Sequence, residues 1–263
     1  MADGQTFKLE ELFSVRGKNV LITGGSRGIG EMIARGFVAN GANVYISSRK
    51  PEACEALAAE LSRWGTCIAA PADLSQLDEV ERLAGQLQAR LPRLDVLINN
   101  AGATWGAPLE EFTEAAWDKV LNLNLKTLFF LTQRLLPLLR AAAAPDSPAR
   151  VVNISSVHGI APPEFETYSY SASKAGCIML TRHLAKRLAR EHILVNSIAP
   201  GSFATKMMAA TLAQKGEEIF SATPLGRAGA PEEIAAVALF LASRASAYIT
   251  GAVIPCDGGF AEV

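Results

Sequence analysis

Asn19-Val20-Leu21-Ile22-Thr23 runs directly into Gly24-Gly25-Ser26-Arg27-Gly28-Ile29-Gly30, and residues Glu31 to Asn40 follow with helical periodicity. The first five residues have the short apolar character of a buried strand. The glycines let the backbone turn tightly and come close to an anion, and the helix behind them offers N-terminal amides and a positive dipole end. Strand, glycine turn and helix in that order form a cradle for a dinucleotide pyrophosphate. An ordinary strand-to-helix turn is the bland alternative.

The same alternation continues. Strands are expected at Asn43 to Ser48, Thr66 to Ala70, Leu94 to Ile98, Arg150 to Ser155, Ile193 to Ala199 and Ala252 to Cys256. Helices are expected at Pro51 to Arg63, Gln76 to Arg90, around Tyr170, and from Pro231 to Ser243. Glu114 to Arg140 reads as two helical stretches or one long helix kinked at Pro137. Strands separated by helices argue for parallel βαβ units: an α/β fold, a single Rossmann-type doubly wound parallel sheet of about seven strands with helices on both faces. Residues 1–16 read as a polar lead-in and 17–263 as one domain. Ser202 to Thr223, with weak periodicity and Met207-Met208, reads as a mobile lid.

The 263 residues are 49% hydrophobic and 19% charged with a net charge of −1, enough apolar content for a sizeable core and no charge bias toward nucleic acid or an anionic membrane. His158, His183 and His192 form no ligand cluster, and Cys54, Cys67, Cys177 and Cys256 have neither zinc nor disulfide-framework spacing. No metal is expected. Met1 to Leu12 lacks the apolar run of a secretion signal, and Thr127 to Ala144 is too interrupted for a membrane span. A cytoplasmic protein is the expectation.

In a parallel sheet, ligands bind beyond the carboxyl ends of the strands. The second strand ends in Ser47-Ser48-Arg49-Lys50, without the acid that would hold a ribose diol and repel a 2′-phosphate. Arg49, with Arg27 opposite, can instead pair with that phosphate, so NADP(H) is preferred over NAD(H). Solvated surface arginines are the competing reading. Asp73-Leu74 follows the third strand, where the acid can reach an adenine amine.

Tyr170-Ser-Ala-Ser-Lys174 places a phenol and an ammonium one helical turn apart on one face. The cation favours the phenolate and makes the phenol a stronger acid, each tenfold change being worth about 1.4 kcal/mol. Such a tyrosine can exchange a proton with a carbonyl or alcohol oxygen.

Together these stretches resemble the short-chain dehydrogenase/reductase family over about residues 15 to 260. Thr23 to Gly30, Asp73, Asn99-Asn100-Ala101-Gly102, Asn124, Ser156, Tyr170-x-x-x-Lys174 and Pro200-Gly201 occur in the family's order. Within it the chain is most similar to 3-oxoacyl-(acyl-carrier-protein) reductases, in the branch linked to rhamnolipid synthesis. The resemblance implies NADPH-dependent reduction of a ketone, a 3-oxoacyl thioester carried on acyl-carrier protein or CoA. Oxidation of a secondary alcohol such as a steroid or polyol, and a non-catalytic dinucleotide sensor, are the alternatives.

By the same resemblance, Tyr170 is the proton donor, and Lys174 assists it and holds the nicotinamide ribose. Ser156, not Ser155, bonds the substrate carbonyl, and Asn124 holds a water of the proton relay. The cofactor set is Gly24, Ser26, Arg27, Gly28, Ile29, Gly30, Arg49, Asp73, Leu74, Asn100, Gly102, Tyr170, Lys174, Phe203 and Thr205. Long helices with apolar residues on several faces, which family members pack against a neighbour, imply a homotetramer or a dimer.

Some features fit the resemblance less closely. Ser156 and Tyr170 stand 14 apart, one more than the family's commonest spacing, which points to an altered loop at Pro162-Pro163. Tyr168 is a decoy, with Ala172 and not lysine four residues on. His158 reads as a solvated loop histidine in preference to one facing substrate. Trp105 either lines the pocket or packs beneath it.

Overall fold

The computed structural model describes residues 6–205, 208 and 216–261. Among these, seven strands form one parallel sheet: β1 (Asn19–Thr23), β2 (Asn43–Ser47), β3 (Thr66–Ala69), β4 (Val96–Asn99), β5 (Ala149–Ile154), β6 (Ile193–Pro200) and β7 (Val253–Cys256). Their spatial order is β3-β2-β1-β4-β5-β6-β7. The order turns back on itself between β1 and β4, which is the switch point of a doubly wound, Rossmann-type sheet.

Helices cover both faces: α1 (Leu9–Leu12), α2 (Gly28–Ala39), α3 (Pro51–Leu61), α4 (Leu77–Arg90), α5 (Glu114–Leu121), α6 (Thr127–Ala142), α7 (Tyr168–Leu188), α8 (216–221) and α9 (Pro231–Ala242). Alternation along each strand sorts the core into two layers. Val20, Ile22, Val44 and Ile46 join α2, α3 and α9 on one face. Leu21, Leu97, Val151 and Val195 join α4, α6 and α7 on the other. The sheet is therefore buried on both sides, as parallel sheets require.

Three boundaries depart from expectation. The second helix begins at Gly28, not Glu31, so the last glycines of the turn are already its first turn. The lead-in is joined to the core: Val15 is buried, and the Phe13 ring lies 6.1 Å from that of Phe240 on α9. Residues 1–5 lie outside the described residues.

The third departure concerns Pro137, which sits inside α6 without ending it. The interruption comes earlier, as a π-helical turn over Asn122–Lys126. A proline inside a helix costs about 3 kcal/mol. Leu131, Leu135, Leu138 and Leu139 are all buried against the sheet and outweigh it. Gln88 also donates to the Arg134 carbonyl (2.7 Å), beside the position where the proline lacks an N–H.

Candidate active site

A continuous cleft of about 1020 Å³ runs across the carboxyl ends of the strands, from the Arg49 turn to the Tyr170 helix. At its centre is the glycine turn. Gly24 and Gly28 have φ of +63° and +57°, which side chains rarely adopt. A Cβ at Gly30 would stand 2.3 Å from the Gly24 carbonyl oxygen and 2.5 Å from Asn100 Nδ2. Only glycine lets the helix start press this closely on the turn.

Asn100 secures the turn from β4. Its Nδ2 donates to the Thr23 and Gly24 carbonyls at 2.8 and 3.1 Å, while the Asn100 and Ala101 amides donate to Thr23 Oγ1 at 2.9 and 3.0 Å. The side chain of Asn100, expected at the cofactor, is thus committed to shaping the cradle. Thr23, which carried no site role in the sequence reading, is the other half of this staple.

At one end of the cleft Ser47 Oγ is fully buried without a hydrogen-bond partner, and Ser48, Arg49 and Lys50 follow it along the wall. The Arg27 and Arg49 side chains are exposed, and their guanidinium groups make no ion pair or hydrogen bond with a described residue. Asp73 Oδ1 accepts from the Ser75 amide and hydroxyl at 3.1 and 2.8 Å, which fixes the bend after β3. Leu74 is buried beside it, its carbonyl accepting from Thr127 Oγ1. An unsatisfied buried hydroxyl, two free guanidinium groups and a cradle with room only for glycine suit a phosphorylated dinucleotide.

At the other end α7 presents Tyr170 and Lys174. Lys174 is 5% exposed; its Nζ donates to the Ile154 carbonyl at 2.8 Å and lies 5.5 Å from the centre of the Tyr170 ring. Ser155 and Ser156, equivalent in composition, separate in structure. Ser155 Oγ donates to the Ile198 carbonyl (2.9 Å) and accepts from Ser197 Oγ (2.8 Å), within the sheet. Ser156 Oγ accepts from the His158 amide at 3.2 Å, which leaves its own proton for the cleft it lines.

Asn124 is 3% exposed inside the π turn. Its Nδ2 donates to the Ala103 carbonyl and to Ser173 Oγ, both at 2.9 Å, and its Oδ1 accepts from the Ala103 amide at 2.8 Å. Both amide protons are spent, so the expected relay water finds no side-chain donor here. What the residue does is tie the segment after β4 to α7, one residue from Lys174. π turns recur at such functional positions.

Further polar groups cross the sheet interior, joining Asn99 of the Asn-Asn-Ala-Gly motif to Thr132, Asn153 and Thr181, which no sequence pattern marked. Asn99 donates to Thr132 Oγ1 (3.1 Å) and Asn153 Oδ1 (2.9 Å), and Asn153 donates to Thr181 Oγ1 (2.9 Å) on α7. The donations tie helix to sheet, while Asn99 Oδ1 is buried without a partner.

Phe203 and Thr205 close the cleft from above. A Cβ at Gly28 would meet Thr205 Cγ2 at 3.3 Å, and one at Gly229 would meet the Phe203 ring at 2.4 Å. Met208 and Ile219 also line the cleft; Lys206, Met207 and 209–215 of the expected lid lie outside the described residues.

Two expectations are corrected here. Trp105 neither lines the pocket nor packs beneath it: it is 42% exposed, with Lys119 Nζ 4.6 Å from its ring centre. His158, expected in solvent, is half-buried and lines the cleft, and burial pulls its basicity below that of an ordinary histidine. Tyr168 donates its hydroxyl to Glu166 (3.0 Å) on the outer side, consistent with its reading as a decoy. Among the described residues no cluster of three acids, histidines or cysteines is arranged for a metal, and no helix is long and apolar enough to cross a membrane.

Residues 24–261 match a family profile described as Enoyl-(Acyl carrier protein) reductase. A Pseudomonas aeruginosa protein, "Rhamnolipids biosynthesis 3-oxoacyl-[acyl-carrier-protein] reductase", is 50% identical over 94% of this chain and 98% of its own. The Thermotoga maritima "3-oxoacyl-[acyl-carrier-protein] reductase FabG" is 39% identical over 93% and 98% respectively. A solved structure, "Pseudomonas aeruginosa RhlG/NADP active-site complex", superposes with a TM-score of 0.93 at 49% identity, covering 95% of this chain and 99% of that one.

Proposed function

This chain belongs to the short-chain dehydrogenase/reductase family, and from that premise we propose that it is an NADPH-dependent carbonyl reductase acting on 3-oxoacyl thioesters. The observation that carries the reading is the convergence of Ser156, Tyr170 and Lys174 on one cleft that also contains the glycine cradle. The family profile's description names enoyl reduction. Hydroxyl donors on two elements suit an oxygen that gains negative charge, which is the demand of a carbonyl.

The cofactor is NADP(H); Gly24 to Gly30 would hold its pyrophosphate, Arg27 and Arg49 its 2′-phosphate, and Asp73 and Leu74 its adenine. When bound, it supplies the hydride. Ser156 donates a hydrogen bond to the ketone oxygen and stabilises the charge that develops there, keeping its own proton. Tyr170 then gives that oxygen a proton. Lys174, anchored on the Ile154 carbonyl, keeps a positive charge beside the Tyr170 ring and stabilises the phenolate that remains. Phe203 and Thr205 line the cleft and would hold the carboxamide end of the cofactor. Asn124 is a positioning residue that fixes α7 through Ser173.

The substrate is expected on acyl-carrier protein, which the names of the relatives at 50% and 39% give for those proteins, or on CoA. The enzyme is taken as cytoplasmic and homotetrameric. Exposed Phe129 on α6 and Tyr168 and Met179 on α7 supply apolar surface for a second copy. NADPH consumption should be followed with acetoacetyl and longer 3-oxoacyl thioesters, diketones, quinones and steroids. Turnover is expected first with the thioesters; exclusive turnover of a polyol or steroid alcohol with NADP⁺ would replace this reading with the dehydrogenase one.

A further inference from the structure

Ser156-Val157-His158-Gly159 forms a single 3-10 turn between β5 and the loop that leads to α7. Val157 is buried, and the Gly159 amide donates to the Ser156 carbonyl at 2.9 Å. A Cβ at Gly159 would fall 2.6 Å from the Lys174 carbonyl carbon and 2.8 Å from the Ala175 amide nitrogen. Glycine therefore allows the turn to seat directly on α7 at the lysine. The histidine before it is held in a fixed place.

That place is the substrate end of the cleft. The His158 ring stands 6.2 Å from the Tyr170 ring, edge-on at 83°, and 6.3 Å from Phe165. Its ring nitrogens make no hydrogen bond with any described residue; its backbone amide donates to Ser156 Oγ. Burial favours the neutral ring, which carries one N–H donor and one bare nitrogen. The other ionisable groups on this side of the cleft are Tyr170 and Lys174, already assigned, and Glu166, which accepts from Tyr168. The ring nitrogens are not sealed from the cleft, so this half-buried imidazole beside the reacting position is open to an acceptor on a ligand.

We infer that His158 is a specificity-determining residue, whose ring N–H bonds a second acceptor oxygen on the substrate, placed 1,3 to the ketone. The first oxygen lies between Ser156 and Tyr170; the second belongs to the thioester carbonyl of a 3-oxoacyl group, or to the carboxylate of a free 3-oxo acid. The inference rests on the carbonyl-reductase reading and adds to it the residue that recognises the second oxygen of a 3-oxoacyl group.

The test compares parent, His158→Phe and His158→Gln on three substrates with NADPH: an acetoacetyl thioester of N-acetylcysteamine, free acetoacetate, and a mono-ketone of matched length. One hydrogen bond is worth up to about tenfold in kcat/KM. The ratio of thioester to mono-ketone is expected to fall about tenfold in His158→Phe, chiefly through KM, while His158→Gln, which retains an N–H, keeps most of it. Preference for acetoacetate over the thioester would assign the second oxygen to a carboxylate. A ratio unchanged in His158→Phe, or lost equally in both variants, overturns the inference and leaves the reductase reading intact. Parent protein inert toward all three would overturn the reductase reading. His158 is then still tested by titrating ¹⁵N-histidine-labelled protein, saturated with NADP⁺, with the thioester. Its imidazole signal, identified by its loss in His158→Gln, is expected to move with thioester and not with mono-ketone; an unmoved signal refutes the contact.

Discussion

Gly30→Ala tests the cradle on which cofactor binding depends. The added methyl carbon would sit 2.3 Å from the Gly24 carbonyl oxygen, 2.9 Å from its carbon and 2.5 Å from Asn100 Nδ2. Two of these neighbours are backbone, and the third is held by bonds of 2.8 and 3.1 Å to Thr23 and Gly24, so none can swing aside. The start of α2 must move off the turn by the better part of an ångström. Overpacking of this kind costs about 1–3 kcal/mol, and the two Asn100 bonds add about 1 kcal/mol each if they break. For a domain of this size that corresponds to a fall in Tm of roughly 3–10 °C. Dinucleotide affinity should fall with it, because the amides of the cradle move with the helix. Urea denaturation gives the first quantity and NADPH fluorescence titration the second. Gly85→Ala is the control: Gly85 lies within α4 with nothing inside 4 Å of its Cβ position, so alanine there should stabilise by about 0.5–1 kcal/mol. Gly30→Ala with parental stability and NADPH affinity would refute the close approach.

Three further outcomes are expected. Arg49→Ala should weaken NADPH relative to NADH by about tenfold or somewhat more, the range for one charge-assisted contact at an exposed site, measured as the ratio of the two kcat/KM values; an unchanged ratio would remove Arg49 from the 2′-phosphate. Without ligand, His158 should make the fold acid-sensitive. Its folded-state basicity is lowered from the ordinary 6.5, so the folded state binds fewer protons than the unfolded one, and stability present above 6.5 declines as pH falls below it. Denaturant midpoints between pH 8 and 5 should therefore fall more in the parent than in His158→Gln, and parallel profiles would contradict this. Light scattering should give a homotetramer; a monomer at working concentration would refute that assembly.

Much of the fold was legible in residue order because the strands are short apolar runs and the helices between them are amphipathic. The glycine turn was legible from its place between strand and helix, and Tyr170-x-x-x-Lys174 from its spacing together with the motifs that accompany it. What escaped depends on neighbours that are distant in sequence. Pro137 reads locally as a break, yet burial of the leucines around it carries the helix through. Asn122 to Lys126 carries no residue that announces a π turn; the extra residue emerges once Asn124 bonds both Ala103 and Ser173. His158 looked like a surface histidine because the glycine after it acquires meaning only against the backbone of α7. Thr23 looked like the last residue of a strand until Asn100 arrived from β4.

Tyr170→Phe, which deletes one oxygen and keeps the ring over Lys174, tests the central chemistry most directly. The account predicts NADPH affinity within about twofold of the parent and turnover of an acetoacetyl thioester lowered by ~10²–10⁴, the range for loss of a general acid. Turnover close to the parent's, with cofactor bound, would contradict proton donation by Tyr170.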